Sequence, residues 1–220
     1  MILIPVKNLE NAKQRLAAVL DQSARTELAQ AMLTDVLETI HSLRNRPAVG
    51  LVTSDLFAID LAHQYGYEVI PDAAARSETD AIETATRLCE QRKATFTMVL
   101  PGDIPLITVG ELDQILQAAP EEGSVLVPSS DKRGTNAALR SPAGLFPLRF
   151  GNDSFVPHLA AAKASGKRCI VLSLAGIALD IDTPSDLSQL SAAPGQTRSQ
   201  NLVRRWDLTS MPLAANETSR

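Results

Sequence analysis

The sequence predicts an α/β protein built on a mostly parallel β-sheet that helices cover on both faces. Short apolar runs rich in β-branched residues alternate with longer segments whose apolar residues recur at helical spacing. The 220 residues are 45% hydrophobic and 4% aromatic, which is enough apolar material for the core of one such domain. We therefore expect right-handed β-α-β crossovers within a single domain spanning residues 1–190.

This alternation predicts six strands and six helices. The predicted strands are Ile2–Val6, Val49–Thr53, Glu68–Ile70, Thr97–Leu100, Ser124–Val127 and Ile170–Leu172. The predicted helices are Thr26–Leu43, Phe57–Tyr65, Thr79–Arg92, Val109–Ala118, Phe155–Ser165 and Pro184–Leu190. The first helix shows the pattern best, because its apolar residues from Leu28 to Ile40 form one continuous stripe.

Regular periodicity ends near residue 190. Residues 191–220 include Pro194-Gly195 and a polar end, and we expect them to form a partly disordered tail. The apolar exceptions in this tail could dock a short helix on the domain; they are Leu202, Val203, Trp206 and Leu208.

Charge and cysteine content restrict the classes of function. The net charge of -4 and the absence of a basic stripe argue against nucleic acid as the main partner. Cys89 and Cys169 have no Cys or His nearby in sequence, which favours buried thiols in a reducing cytoplasm over ligands or a disulfide. With no leader or membrane-spanning run in this sequence, we expect a cytoplasmic protein without a membrane partner.

Three aspartates are the strongest candidates for a metal site. Asp103 directly follows a buried-strand pattern, and ligands gather beyond the carboxyl ends of parallel strands. Asp180 and Asp182 share one face of an extended segment, where a positive charge would relieve their repulsion. Oxygen ligands of this kind favour Mg²⁺ bound with substrate phosphates. Asp103 could instead be a turn residue, and Asp186 is expected only to follow Thr183 as a first-turn helix acid.

A basic segment follows the first predicted strand, where α/β folds place a phosphate-binding turn. Lys7, Lys13 and Arg15 lie within nine residues of one another, although the glycines of the known phosphate-binding motifs are missing. A solvated basic stretch is the alternative. Opposite three aspartates, these cations favour triphosphate binding, with Lys13 and Arg15 neutralising the charge of a phosphoryl group in transfer.

Two polar segments are candidates for binding a second anionic substrate. Between Ser129 and Ala137, Arg133 offers paired donors to a carboxylate or phosphate. Gly151 and Ser154 precede a predicted helix, whose first-turn amides could hold an anion.

Ordinary structural roles are the alternatives for both segments. The first has the composition of a turn, and the second could simply supply an N-cap at Asn152 or Asp153. His63 and His158 are interpreted as surface or packing residues without a chemical role.

These segments together resemble the CofC/FbiD family, the guanylyltransferases of coenzyme F420 biosynthesis. That family has a nucleotide-diphospho-sugar-transferase-like fold similar to the MobA-like nucleotidyltransferases. The resemblance covers about residues 2–190 in order. The segments that carry it are Pro5-Val6-Lys7 with Ala12-Lys13-Gln14-Arg15-Leu16, Gly102-Asp103-Ile104-Pro105, Arg133-Gly134-Thr135-Asn136-Ala137, Arg149-Phe150-Gly151 with Ser154-Phe155, and Leu179-Asp180-Ile181-Asp182-Thr183-Pro184.

The resemblance implies transfer of GMP from GTP to a three-carbon phospho-acid, with release of pyrophosphate and with Mg²⁺ as cofactor. The family's acceptors are 2-phospho-L-lactate, phosphoenolpyruvate and 3-phospho-D-glycerate. By resemblance, the metal ligands are Asp103, Asp180 and Asp182, the acceptor contacts are Thr135, Gly151 and Ser154, and the triphosphate-facing residues are Lys7, Lys13 and Arg15.

One departure from the family pattern concerns the base. Within Ser77-Glu78-Thr79-Asp80-Ala81, Asp80 stands where an Asn is common. Its carboxylate could accept from the guanine N1–H and 2-amino group, and we expect it to contact the nucleotide.

Other functions and partners stay open at this point. The alternatives are a MobA-like or sugar-phosphate nucleotidyltransferase and a non-catalytic nucleotide-binding protein. A downstream F420 lactyl or glyceryl transferase is a candidate partner. The oligomeric state is open, with a homodimer among the possibilities.

Overall fold

The computed structural model describes residues 1–72, 77–151 and 153–206. The strands in these ranges are β1 (Ile2–Val6), β2 (Val49–Thr53), β3 (Glu68–Ile70), β4 (Thr97–Val99), β5 (Gly123–Pro128), β6 (Thr135–Ser141) and β7 (Arg168–Val171). The α-helices are α1 (Gln22–His41), α2 (Leu56–Tyr65), α3 (Glu78–Gln91), α4 (Val109–Ala118), α5 (Phe155–Ala164), α6 (Ala175–Ala178), α7 (Pro184–Ala192) and α8 (Arg198–Arg205). Two short 3-10 helices, Leu9–Asn11 and Gln14–Leu16, link β1 to α1.

The described strands form one sheet in the order β3-β2-β1-β4-β6-β5-β7. Strands β1 to β4 pair in parallel, and β5 pairs in parallel with β7. Strand β6 pairs antiparallel with both β4 and β5. The predicted mostly parallel sheet is confirmed, with β6 reversed near its middle.

Helices cover both faces because β1 alternates its side chains between two apolar clusters. Ile2 and Ile4 pack with residues of α1, α2 and α4, including Leu33. Leu3 points the other way and packs with residues of α3 and α5, including Ile82. All of these side chains are almost completely buried. The strands therefore have apolar neighbours on both sides, as a buried parallel sheet requires.

Among the described strands and α-helices, the sequence pattern missed strand β6 and the short helix α6. The sequence of β6 has no β-branched residue after Thr135 and contains polar residues in the middle of the run. Arg140 is completely buried and donates to the Phe146 carbonyl and to the Thr86 hydroxyl, at 2.5 and 2.8 Å. Hydrogen bonds of this kind allow a polar residue in a central strand, where composition alone indicated a loop.

Part of the expected tail folds onto the domain as α8. Asp35 of α1 accepts from the backbone N–H groups of Arg198 and Ser199, at 2.8 and 2.9 Å, and from the Ser199 hydroxyl. This carboxylate satisfies the first amides of α8. Leu202 and Val203 are buried in a cluster with residues of α1 and α7. The predicted docking of a short helix is confirmed for 198–205, whereas Leu208 lies outside the described residues.

Both cysteines are free thiols, and Cys89 is buried as predicted. Cys169, predicted to be buried, is only partly buried in β7. In the described ranges, none of the helices has both the length and the apolarity needed to cross a bilayer.

We predict that α8 contributes to the stability of the whole domain. Leu202→Ala should lower the free energy of unfolding by about 2–4 kcal/mol, because it leaves a cavity between α1 and α7. Urea unfolding measures the change, and Asn201→Ala, on the exposed face of the same helix, should change it by about 0.5 kcal/mol or less. An unchanged urea midpoint for Leu202→Ala would contradict the packing of α8.

Candidate active site

A cavity of about 500 Å³ lies at the carboxyl edge of the sheet. Its volume falls within the usual range for small-molecule sites. Asp103 reaches it from the loop after β4, and the reversed direction of β6 brings Thr135 to the same edge. The cavity wall includes most of the residues predicted from sequence, namely Arg15, Asp103, Arg133, Thr135, Gly151, Ser154, Asp180 and Asp182.

Lys13 links two of the aspartates below this cavity. Its Nζ lies 2.5 Å from an Asp103 oxygen and 2.9 Å from an Asp182 oxygen. Its backbone adopts a left-handed conformation, with φ at 56°. The side chain of Lys13 is only 7% exposed, whereas those of Asp103 and Asp182 are 30% and 36% exposed. The lysine is therefore enclosed, and the two carboxylates present their outer sides to the cavity.

The charges of this cluster depend on one another. Burial by itself would lower the pKa of Lys13, but Asp103 and Asp182 outweigh it and raise that pKa above its ordinary value. Burial would raise the pKa of Asp182, but Lys13 and then Arg15 hold it below the ordinary value. The lysine thus stays cationic and Asp182 stays ionised at neutral pH.

Asp180 is held in a different way from its two partners. Asn136 of β6 donates through Nδ2 to an Asp180 oxygen at 2.9 Å and to the Ile177 and Ala178 carbonyls. Burial raises the pKa of Asp180, and the nearby charges of Asp103 and Asp182 add to that effect. Asp180 is therefore the member of the group that most lacks positive charge. Sequence reasoning assigned no role to Asn136, which is 5% exposed.

The loop that carries the two later aspartates is fixed at both ends. The Ile181 N–H donates to the Asp103 carbonyl at 3.1 Å, which joins the two acidic loops. Thr183 and Asp186 form a capping box at the start of α7, with Pro184 in the first turn. The prediction that Asp186 is a first-turn acid following an N-cap at Thr183 is confirmed.

The predicted metal triad is brought together only in part. Asp103, Asp180 and Asp182 line one cavity, but in the described residues they do not form a ready cluster of metal ligands. Lys13 lies between Asp103 and Asp182, a contact that spacing along the sequence could not reveal.

The other cations of the basic segment differ in position. Arg15 lies at the cavity wall, with a side chain that is 64% exposed and 3.4 Å from an Asp182 oxygen. Lys7 is exposed, and its charge reaches Glu78 at the start of α3. Burial, and then the charge of Asp103, raise the pKa of Glu78, and Lys7 opposes that rise.

The base-reading role of Asp80 is a prediction that the structure leaves untested. Asp80 is exposed in the first turn of α3, and the described cavity wall contains Glu78 instead. Thr79 accepts a hydrogen bond from the Phe150 N–H at 2.9 Å and thereby ties α3 to the loop before α5. Sequence reasoning missed both Glu78 and Thr79.

Two residues with buried hydroxyl groups line the same cavity. Thr135 and Ser154 are 7% and 4% exposed, and the Thr135 N–H donates to the Ser154 Oγ at 3.1 Å. The Thr135 Oγ1 lies 2.9 Å from His158 Nδ1. His158 Nε2 accepts from the Arg149 N–H at 2.8 Å. His158 is 1% exposed and contacts a predicted substrate-binding residue, which corrects its assignment to the surface or to packing alone.

Arg133 pairs with a carboxylate of the chain itself. Its Nε and Nη2 lie 2.5 and 3.2 Å from the two oxygens of Asp153. Arg133 thus has the paired donors that the sequence predicted, but both of them bond to the Asp153 carboxylate. Gly151 has φ at 132°, a backbone conformation that favours glycine. The N-cap of α5 is Ser154 and not Asp153, while Asn152 lies outside the described residues.

Comparison with known proteins places the chain in a family. The family model described as "Guanylyl transferase CofC like" matches residues 1–220. A phosphoenolpyruvate guanylyltransferase of Chloroflexus aggregans is 38% identical, over 87% of this chain and 96% of that protein. A 3-phospho-D-glycerate guanylyltransferase of Colwellia psychrerythraea is 30% identical, over 86% of this chain and 90% of that protein. A 2-phospho-L-lactate guanylyltransferase of Methanothermobacter thermautotrophicus is 28% identical, over 96% of this chain and 92% of that protein.

A solved structure supports the fold independently. A protein of Desulfovibrio desulfuricans G20 described as a nucleotide-diphospho-sugar transferase superposes with a TM-score of 0.78. The superposition covers 94% of each chain at 17% identity, which shows a shared fold. The predicted nucleotide-diphospho-sugar-transferase-like fold is confirmed.

We predict that His158 makes the stability of the protein depend on pH. Burial, and secondarily the charge of Arg140, lower the pKa of His158 from 6.5 to about 4. Between these values the unfolded chain binds a proton that the folded chain does not, so that stability falls as the pH falls. The loss attributable to this residue should be about 2 kcal/mol between pH 7 and pH 5.

Urea unfolding at the two pH values tests this prediction. His158→Gln should lose less stability than the unsubstituted protein on acidification, whereas His63→Gln, on the exposed face of α2, should match the unsubstituted protein. Equal losses for all three proteins would contradict a buried neutral His158.

Proposed function

The chain belongs to the CofC family of guanylyl transferases, and we propose that it transfers GMP from GTP to a three-carbon phospho-acid with release of pyrophosphate. The acceptors proposed are phosphoenolpyruvate, 3-phospho-D-glycerate and 2-phospho-L-lactate, which are those in the names of its relatives. We place this transfer in coenzyme F420 biosynthesis, the pathway of the family.

The single observation that carries the proposal is that one cavity brings together two kinds of polar group. Asp103, Asp182 and Arg15 line this cavity, and Lys13 bridges the two carboxylates. Thr135 and Ser154 line the same cavity with buried hydroxyl groups. The cations, together with a metal ion on the carboxylates, would suit the triphosphate of a nucleotide, and hydroxyl donors suit the carboxylate and phosphate of a small acid. A nucleotidyl transfer needs both substrates in one cavity.

We assign each of the three basic residues a different role in binding the triphosphate. Arg15 is exposed at the cavity wall, which makes it the cation best placed to meet the leaving pyrophosphate. Lys13 is enclosed between two carboxylates, so its first role is to hold the acidic loops together; its ammonium also neutralises charge next to the reacting phosphate. Lys7 lies farther out, where its positive charge favours the approach of GTP.

The acidic residues have the ligand chemistry of a Mg²⁺ site, although Lys13 now lies between two of them, and we propose Mg²⁺ as the cofactor. The donor set is carboxylate oxygen from Asp103, Asp180 and Asp182, the ligand chemistry that Mg²⁺ prefers. The raised pKa of Asp180 indicates a position that lacks positive charge. When bound, Mg²⁺ would supply charge neutralisation for phosphate oxygens as a Lewis acid. Asn136 orients Asp180 for this role by holding one of its oxygens.

The acceptor phosphate itself is the proposed nucleophile. One of its oxygens attacks the α-phosphorus of GTP in line, a new P–O bond forms, and the bond to the β-phosphate oxygen breaks. A phosphate monoester is already largely ionised at pH 7, because its second pKa is near ~6. The chain therefore needs no general base, and Thr135 and Ser154 contribute by orienting the acceptor.

The product is expected to pass to another enzyme in the cytoplasm. A phosphoanhydride between GMP and a phospho-acid carries an activated group, which suits a downstream F420 lactyl or glyceryl transferase as partner. The purified downstream transferase should therefore be included in the activity assay, because it consumes a product that is too labile to accumulate.

We predict that pyrophosphate release requires GTP together with one of the three acceptors. The assay uses purified protein, Mg²⁺, and GTP, ATP or CTP with each phospho-acid in turn, and kcat/KM ranks the acceptors. GTP should support turnover, and ATP and CTP should serve as near-inactive controls. Omission of Mg²⁺, or its removal with EDTA, should stop the reaction. No release with GTP and any of the three acids would contradict the proposed function.

Asp103→Asn should lower kcat by about 100-fold or more, because it removes the charge that faces both the α-phosphate region and Lys13. The substitution preserves shape, and Lys13 retains its pairing with Asp182. The matched control is Asp113→Asn on the exposed face of α4, which should keep full activity. Near-normal turnover by a folded Asp103→Asn protein would exclude a role for Asp103 in catalysis.

A further inference from the structure

His158 is a buried histidine with both ring nitrogens engaged. Nε2 accepts from the Arg149 N–H at 2.8 Å, and a neutral imidazole that accepts at one nitrogen carries its proton on the other. Nδ1 is therefore the donor, and its partner at 2.9 Å is the Thr135 Oγ1. Burial lowers the pKa of the ring to about 4, which keeps it neutral at pH 7. The Phe150 ring packs edge-on, 5.3 Å between centroids, and fixes the plane of the imidazole.

This hydrogen bond determines the direction of the Thr135 hydroxyl. Because Oγ1 accepts from His158, the proton of the hydroxyl is directed away from the ring. Ser154 is arranged in the same sense, since its Oγ accepts from the Thr135 N–H. In the ranges that the structure describes, neither hydroxyl proton has an acceptor, and both residues line the cavity. Both hydroxyl groups can therefore donate to a ligand in the cavity.

We infer that His158 is a positioning residue that makes Thr135 a hydrogen-bond donor to an anionic group of the acceptor. This inference rests on the proposed function, in which the acceptor lies against Thr135 and Ser154. The opposite arrangement, with Thr135 donating to the ring, would present oxygen lone pairs to a carboxylate or phosphate and repel it. His158 thus acts on acceptor binding through one hydroxyl and does not touch the acceptor.

Two substitutions separate the two hydrogen bonds of His158. In His158→Asn, the shorter side-chain amide reaches the place of Nδ1, and it retains a donor to Thr135 while losing the acceptor for the Arg149 N–H. In His158→Gln, the longer amide reaches the place of Nε2, and it retains the acceptor for Arg149 while losing the donor to Thr135. A role through Thr135 and a role through the loop before α5 therefore predict opposite outcomes.

The test measures KM for GTP and for the acceptor of highest kcat/KM among the three phospho-acids. His158→Gln should raise the acceptor KM by about 10-fold or more, the effect of a lost hydrogen bond to a charged group, and leave the GTP KM within about twofold. His158→Asn should keep the acceptor KM within about threefold of the original value. Thermal melting of each variant checks that the fold is retained.

A double-substitution cycle makes the inference independent of any single variant. In a Thr135→Val background, which lacks the hydroxyl, His158→Gln should cause no further rise in acceptor KM. In a Thr135→Ser background, which keeps the hydroxyl, His158→Gln should still raise the acceptor KM. Additive effects of Thr135→Val and His158→Gln, or an equal loss in His158→Asn and His158→Gln, would overturn the inference. If the unsubstituted protein turns over while the variants give either of these outcomes, only the role of His158 is contradicted. If the unsubstituted protein shows no turnover with any acceptor, both the proposed function and the role of His158 are contradicted.

Discussion

The buried ion pairs of Lys13 are the interaction on which the rest of the site depends. Its ammonium joins Asp103, from the loop after β4, to Asp182, from the loop before α7, across 90 and 169 residues of sequence. Removing both carboxylates would leave the Lys13 ammonium uncompensated in a largely enclosed place, which is strongly destabilising. The same contact, with Arg15, keeps Asp182 ionised, whereas Asp180 is the one of the three aspartates with no ion pair in the described residues and a raised pKa.

The reversed strand β6 is the second constraint, because it brings a strand's amino end to an edge otherwise formed by carboxyl ends. Asn136 can then hold Asp180, and Thr135 can line the same cavity as the acidic loops. A parallel β6 would place these residues at the far edge of the sheet. The fold thus brings carboxylate, cationic and hydroxyl side chains from elements that are distant in sequence to one cavity. With Mg²⁺ as the proposed cofactor on the carboxylates, these groups would suit two anionic substrates.

The sequence predicted the parallel strands and the long helices because their periodicity is strong and local. It placed Asp103 at the carboxyl edge of the sheet, where residues after parallel strands gather, and it grouped Asp180, Asp182 and Arg15 with it by charge. All four line one cavity. The sequence could not predict the contacts made by side chains across the sheet. Strand β6 was missed because Asn136 and Arg140, which are buried, give its sequence a polar composition. His158 was assigned to the surface or to packing because its hydrogen-bond partner, Thr135, is 23 residues away in sequence. Such polar residues become interpretable only when their hydrogen-bond partners are known.

The central claim is that the chain moves a guanylyl group between two substrates in this cavity. GTP labelled at its α-phosphorus, incubated with Mg²⁺ and the preferred phospho-acid, tests it most directly through separation of the labelled products. The account predicts that the α label enters a new compound containing the acid and that γ-labelled GTP yields labelled pyrophosphate. Appearance of the γ label in the acid, or release of labelled GMP without any acid adduct while GTP is consumed, would contradict it.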